Sequence, residues 1–232
     1  MEIKVLASGS KGNAYWISDD KTPLLLECGI PIKEIRKGLN FKLSEVSGCL
    51  VSHAHADHSR ACKDLISAGV NVYTSQPTAT ALGLDGHRLQ GIKAGCQFNI
   101  GTWAIMPFDT EHDCEGSLGF LLASKAGYKV VFITDSLYSR YKFNGVSHWL
   151  LEINYDQETL DTNLANGSLN PALSRRLMRS HMSLENAVDL LKANDLSQTE
   201  AIYAIHLSEN NASEERIKRR LMGLTGKHII IC

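Results

Sequence analysis

Residues 48–52, Gly-Cys-Leu-Val-Ser, end directly on the run His53-Ala54-His55-Ala56-Asp57-His58. A short apolar run of this kind reads as a buried strand. It delivers three imidazoles and one carboxylate to a single tight loop. These groups are the usual ligands of Zn²⁺, Mn²⁺ and Fe²⁺. A solvated loop that happens to be rich in histidine is the plain alternative. Against it, the chain has nine histidines among 232 residues, and three of them fall within these six positions. The loop lets His53 and His55 point one way while Asp57 and His58 turn toward a neighbouring position, so two adjacent metal sites can share it.

The first half of the chain reads mainly as strands, at 3–7, 14–17, 23–26, 70–74, 98–108, 118–123, 129–133 and 149–153. Turn-rich segments such as Ser8-Gly9-Ser10-Lys11-Gly12-Asn13 separate them. Short helices are expected at 31–39, 60–68 and 76–82. The second half adds a helix at 184–193, with Ala187, Leu190 and Leu191 on one face and Ser183 as its N-cap. A strand at 201–207 follows, then a helix at 213–222 and a closing strand at 228–231. The helix starts with Glu214-Glu215 and carries Lys218-Arg219-Arg220 later, which suits its dipole at both ends. With no linker-like stretch and no repeat, the reading is one domain, 1–232, of the α/β (α+β) class, with two mainly β layers and helices outside them.

Net charge is -1, so the chain lacks the basic excess common in dedicated nucleic-acid binders, although a local basic face remains compatible with it. Association of identical chains could also build a basic channel that one chain lacks, so a homo-oligomer stays open. The six cysteines are scattered, with no CxxC pair, which argues against a zinc finger and against a secreted disulfide scaffold. No basic-then-apolar segment marks the N-terminus, and no apolar run approaches the roughly 18 residues of a membrane span. The expected location is the cytoplasm.

The HxHxDH pattern after a strand resembles the signature of the metallo-β-lactamase superfamily, and the likeness covers nearly the whole chain. It implies an αββα sandwich and a dinuclear metal site. His112 in Phe108-Asp109-Thr110-Glu111-His112, Asp135 in Val131-Phe132-Ile133-Thr134-Asp135, and His206 in Ile205-His206-Leu207-Ser208 stand where that family places its further ligands. The implied partition is His53, His55 and His112 on one metal, and Asp57, His58 and His206 on the other, with Asp135 between them. The cofactors would be two divalent ions, zinc or manganese, with iron a further option. Two metals about 3.5–4 Å apart can bridge a water as a hydroxide and clamp attacking and leaving oxygens. That chemistry favours phosphodiesters, though the same cage also hydrolyses lactams, lactones and thioesters.

Within the superfamily, Glu152 in Trp149-Leu150-Leu151-Glu152 and the element His181-Met182-Ser183 resemble the tRNase Z branch. That resemblance implies that His181 binds the scissile phosphate or protonates the leaving oxygen, with Glu152 orienting it. The alternative is that His181 only caps a helix and Glu152 faces solvent. The opening Ser8–Asn13 loop and the late His206-Leu207-Ser208-Glu209-Asn210-Asn211 are similar to the small bacterial YycJ (WalJ) group. This implies a 5′–3′ DNA (or RNA) exonuclease. Related proteins that cleave 3′,5′-cyclic nucleotides supply the competing reading. The Ser8–Asn13 loop either lines the site or is a plain turn. Glu27 stands where many relatives have Asp, which puts the placement of the motif loop in question. The chain has no room for the inserted domain of large RNA-processing relatives and no obvious basic protruding arm, so specific tRNA maturation is not expected.

Weaker candidates remain. Arg175-Arg176-Leu177-Met178-Arg179 and Lys218-Arg219-Arg220 either contact phosphates or form solvated helix faces. Tyr138, Tyr141 and Tyr155 either stack on a base or pack. His87, His148 and His228 fit no ligand slot, and Cys114 lies close to His112 without an assigned role.

Overall fold

The computed structural model describes residues 1–232. The chain divides into two compact units, Met1–Asp109 with Cys114–Tyr128, and Thr110–Asp113 with Lys129–Cys232.

In the first unit, β1 (Glu2–Ala7), β2 (Ala14–Ser18), β3 (Pro23–Leu26), β4 (Gly48–Leu50), β5 (Val72–Ser75) and β6 (Leu89–Ile92) form a six-stranded sheet in sequence order. β1, β2 and β3 are antiparallel neighbours; from β3 onward the pairs are parallel. Parallel neighbours need crossovers. Helix α1 (Ile32–Gly38) lies between β3 and β4. Between β4 and β5 the chain forms α2 (Ala56–Ser59) and α3 (Cys62–Ser67), and α4 (Gln76–Leu82) precedes β6. Leu24, Leu25, Leu26, Cys49 and Leu50 are fully buried. These are the uninterrupted apolar runs expected of strands covered on both faces. Leu25, Cys28, Ile35, Cys49, Val51, Leu65 and Val72 join in one core cluster.

The same unit holds an antiparallel meander of β7 (Phe98–Ile100), β8 (Trp103–Asp109) and β9 (Leu118–Ser124). Sequence reading expects a single strand over 98–108; instead the chain turns at Gly101 and Thr102, and Ile100 pairs with Trp103. Gly101 takes φ +54, and a Cβ there would fall 2.3 Å from Thr22 Oγ1, so glycine permits both the turn and the close approach. Trp103 is buried and its Nε1 donates to Thr22 O.

In the second unit, β10 (Lys129–Ile133), β11 (His148–Glu152), β12 (Ala201–Ile205) and β13 (His228–Ile231) form an all-parallel series in that order. The strand at 201–207 is thus two residues shorter than expected, because His206 takes φ 55 and leaves the ladder. Helices α5 (Gln157–Ala165), α6 (Pro171–Ser180) and α7 (Leu184–Lys192) lie between β11 and β12, and α8 (Glu214–Thr225) between β12 and β13. Ser183 caps α7 by accepting from Asn186 N–H. Helix α5 escapes sequence reading because it buries little, only Leu160; α6 escapes it although Asn170-Pro171 marks its start and Leu177 and Met178 pack on one side. β6, half exposed, escapes it too. Since the strands run parallel, Asp135, Glu152 and His206 all lie at or just past the carboxyl ends of their strands, where α/β sheets place ligands. No helix is long and apolar enough to cross a membrane.

Candidate metal centre

In the first unit the motif leaves the carboxyl end of β4. His53 and His58 are buried, while His55 and Asp57 are partly exposed. His53 Nδ1 lies 2.8 Å from Ser52 Oγ, which turns Nε2 toward His55 Nδ1 at 3.0 Å. The His53 and His58 rings are 4.3 Å apart. His58 Nε2 is 3.3 Å from Asp57 Oδ2. Short α2 keeps the turn tight, since Ser59 Oγ donates to the carbonyls of Ala54 and His55.

Three residues hold this loop from behind. Glu27 is fully buried; Oε1 accepts from Ser52 N–H at 3.0 Å, and Oε2 lies 3.4 Å from His58 Nδ1. Burial pushes its carboxyl above the usual range, with His58 and Ser52 pulling the other way. The longer side chain at this position therefore still reaches the motif, from a backbone at φ 64. Asn13 donates from its backbone N–H (2.7 Å) and from Nδ2 (3.2 Å) to Asp57 O, while its Oδ1 accepts from Gly9 N–H and Tyr15 OH. The Ser8–Asn13 loop is thus a clamp on the motif backbone rather than a plain turn. At Gly29 a Cβ would fall 1.7 Å from Asp57 O, so only glycine lets the two backbones meet. Neither Asn13 nor Gly29 stood out singly in the sequence; their signal is a Gly-flanked polar loop and a glycine beside Glu27.

The second unit assembles the other candidates. His112 Nδ1 donates to Ser180 O at 3.1 Å, and its Nε2 is 3.6 Å from Asp135 Oδ2. Asp135, at φ 45, sets Oδ1 2.8 Å from His206 Nδ1. Glu152 is fully buried rather than facing solvent. Its Oε1 accepts from His181 Nδ1 at 2.7 Å and from His206 Nδ1 at 2.9 Å, and Oε2 accepts from Ser136 N–H. Burial pushes the Glu152 carboxyl up, but His181 and His206 outweigh it and leave it below the usual range. His181 moves the opposite way: burial lowers it, and Glu152 and Asp135 raise it further. One donor atom each from Asp135, Glu152, His181 and His206 falls within a 4.8 Å span. Asn154 Nδ2 donates to His206 O and holds that left-handed residue in place.

The remaining candidates lie elsewhere or are occupied. Tyr155 is buried and Tyr138 exposed. Arg219 reaches Glu215 on its own helix at 3.8 Å. His148 is buried beside Ser147, whereas His87 and His228 are exposed. Cys114 is half-buried and unbridged.

Imidazole and carboxylate are the only donor types gathered here, and they suit a divalent cation. The 3.0 Å between His53 Nε2 and His55 Nδ1 is close to the edge of about 3.3 Å that Zn–N bonds of about 2.05 Å give a tetrahedron. Residues 30–207 match the family model described as Beta-lactamase superfamily domain. The chain belongs to the β-lactamase superfamily. As a member of this metallo-hydrolase superfamily it is an enzyme, and the fold implies divalent-metal binding. The sequence is 27% identical over 231 residues to the exodeoxyribonuclease WalJ of Streptococcus pneumoniae, covering 92% of this chain and 84% of the relative. Among solved structures, the metallo-β-lactamase fold protein YhfI of Bacillus subtilis superposes with a TM-score of 0.75 at 13% identity, covering 99% of this chain and 95% of that one. Human tRNase Z, short form, superposes with a TM-score of 0.68 at 13% identity, covering 100% and 96%. These structural likenesses bear out the metallo-β-lactamase fold inferred from the sequence.

Proposed function

We propose that this superfamily member is a dinuclear-metal phosphodiesterase acting as a 5′–3′ DNA exonuclease. The observation that carries the reading is the shared acceptor Glu152 Oε1, which ties His181 to His206. In a hydrolase of lactams or thioesters a histidine held this way has no evident task. For a phosphodiester it is a proton donor set beside the scissile bond.

The ligand set is the one the family resemblance implies. By that resemblance His53, His55 and His112 would hold one metal and Asp57, His58 and His206 the other, with Asp135 between them. When bound, the ions supply Lewis acidity toward the phosphodiester oxygens. The chain's own residues orient and protonate. Ser52 and Ser180 fix His53 and His112 through Nδ1, so Nε2 is the nitrogen each would offer a metal; Glu152 and Asp135 do the same for His206. His181, held at Nδ1 by Glu152 and only 17% exposed in its side chain, presents Nε2 to substrate and passes a proton to the leaving oxygen. A general acid of this kind contributes about 10²–10⁴ in rate. The activity of the WalJ relative, aligned over most of both chains, supports DNA as substrate. The family match, which runs through residues of both units, supports reading 1–232 as one domain. Six unbridged cysteines support a cytoplasmic location.

The test is a metal-loaded activity panel of bis-p-nitrophenyl phosphate, end-labelled single- and double-stranded DNA and RNA, and 3′,5′-cyclic nucleotides, with Asp57→Ala as control. Stepwise loss of nucleotides from the 5′ end, absent in the control, is the expected result. Turnover of cyclic nucleotides with polymer intact would replace the exonuclease reading with a signalling one. Silence on every phosphodiester with two metals bound would redirect the search to lactones and thioesters.

A further inference from the structure

The helix that ends at His181 carries a basic face that is compensated only in part. α6 contains Arg175, Arg176 and Arg179 and no acidic residue, in a chain whose net charge is -1. Its apolar side packs downward: Leu177 and Met178 rest on the cluster of Tyr155, Leu160 and Leu169. That packing turns all three arginines to solvent. Arg176 comes within 3.9 Å of Asp113, the neighbour of His112, while Arg175 and Arg179 have no carboxylate at ion-pair distance. The helix is also fastened to the candidate site at its carboxyl end. Ser180 O accepts from His112 Nδ1, and the ring of His181 is bonded to Glu152. A basic surface that is rigidly continuous with the proton donor differs from an ordinary solvated helix face.

We propose that α6 is a phosphate track: Arg175, Arg176 and Arg179 hold the backbone phosphates of the DNA strand on one side of the phosphodiester presented to His181. The proposal rests on the phosphodiesterase reading above and adds the surface that makes the substrate a polymer. At 1.5 Å per residue, Arg175 stands about 9 Å along the axis from His181. A DNA strand carries one charge per about 3.4 Å of its axis, so the roughly 6 Å of helix from Arg175 to Arg179 faces about two phosphates. Guanidinium suits the task because its planar fork pairs with phosphate oxygens two at a time. A mononucleotide or cyclic nucleotide seated at His181 has no further backbone phosphate to offer the arginines.

The experiment uses the metal-loaded full chain and a phosphorothioate-protected single-stranded oligonucleotide, with binding read by fluorescence anisotropy across a salt series. For Arg175→Ala/Arg179→Ala, the slope of log K against log salt should flatten by about 1.4, or about 0.7 for each lost contact. With unprotected DNA the loss should fall on KM, about tenfold, rather than on kcat. The charge-conserving Arg175→Lys/Arg179→Lys variant should keep most of the slope, which separates lost charge from lost folding. An unchanged slope and KM in the alanine variant would reduce the arginines to a solvated face, leaving the nuclease reading intact. Wild-type protein that hydrolyses bis-p-nitrophenyl phosphate yet neither binds nor cuts DNA would overturn both.

Discussion

Glu152 Oε1 accepts a hydrogen bond from His181 Nδ1 at 2.7 Å and a second from His206 Nδ1 at 2.9 Å. One buried oxygen thus sets the orientation of two histidines, to which the proposed mechanism gives different tasks. Glu152→Gln keeps the shape and removes the charge. We expect kcat on bis-p-nitrophenyl phosphate to fall about 10–100-fold, the usual cost of losing an orienting carboxylate behind a metal site. Steady-state kinetics with metal content measured in parallel tests this; full activity in the variant would remove Glu152 from the mechanism.

Removing His181 tests the proton-donor role proposed for it apart from metal binding. His181→Ala should lower phosphodiester cleavage about 10²–10⁴-fold while bound metal stays near its wild-type level. Elemental analysis beside the rate measurement decides it, since loss of metal and rate together would make His181 a ligand instead.

Gly29→Ala tests the backbone approach that carries the motif. Its Cβ would sit 1.7 Å from Asp57 O, and the atoms it meets are backbone, which cannot swing aside. The variant should lose at least about 2 kcal/mol, as overpacked sites do. A lower denaturant midpoint together with weaker metal retention is the expected signature. An unchanged midpoint would mean that the loop can shift freely.

Metal should stabilise the fold by mass action. At free metal near 100 times its Kd, the loaded protein gains about 2.7 kcal/mol over the chelated form. Differential scanning calorimetry with and without chelator measures this, and Asp57→Ala should narrow the gap between the two melting curves.

His148 gives a pH signature remote from the metal site. Burial beside Ser147 lowers its proton affinity, and Glu200 at 3.8 Å offsets this only in part. The unfolded chain therefore takes up a proton first as pH falls. Its stabilising contribution is complete above about pH 6.5 and is lost as pH drops from there through the depressed folded value. His148→Gln should flatten that decline in urea titrations run from pH 7.5 to 5; an unchanged decline would place its origin elsewhere.

What the sequence determined follows from local chemistry. A metal-binding loop needs particular side chains at close spacing after a strand, and His53 to His58 display that without any tertiary information. The family resemblance picked out Asp135, Glu152 and His206, and the apolar runs marked their strands, but the ends of those strands at Glu152 and before His206 came from the structure. Ser183 read correctly as a cap because capping is a contact three residues long. Only the tertiary structure decided the rest. The turn at Gly101 depends on Thr22, distant in sequence. The clamp of Asn13 on Asp57 and the meeting of Gly29 with the same carbonyl join backbone segments that no periodicity connects. Helix α5 hid because it buries only Leu160, too little to imprint a pattern, whereas α6 went unread despite a legible start at Asn170-Pro171. The sharing of Glu152 between His181 and His206 exists only because β11 and β12 run parallel and α6 returns the chain to their carboxyl ends. Contacts between residues far apart in the chain leave no periodic trace in it, so packing alone revealed them.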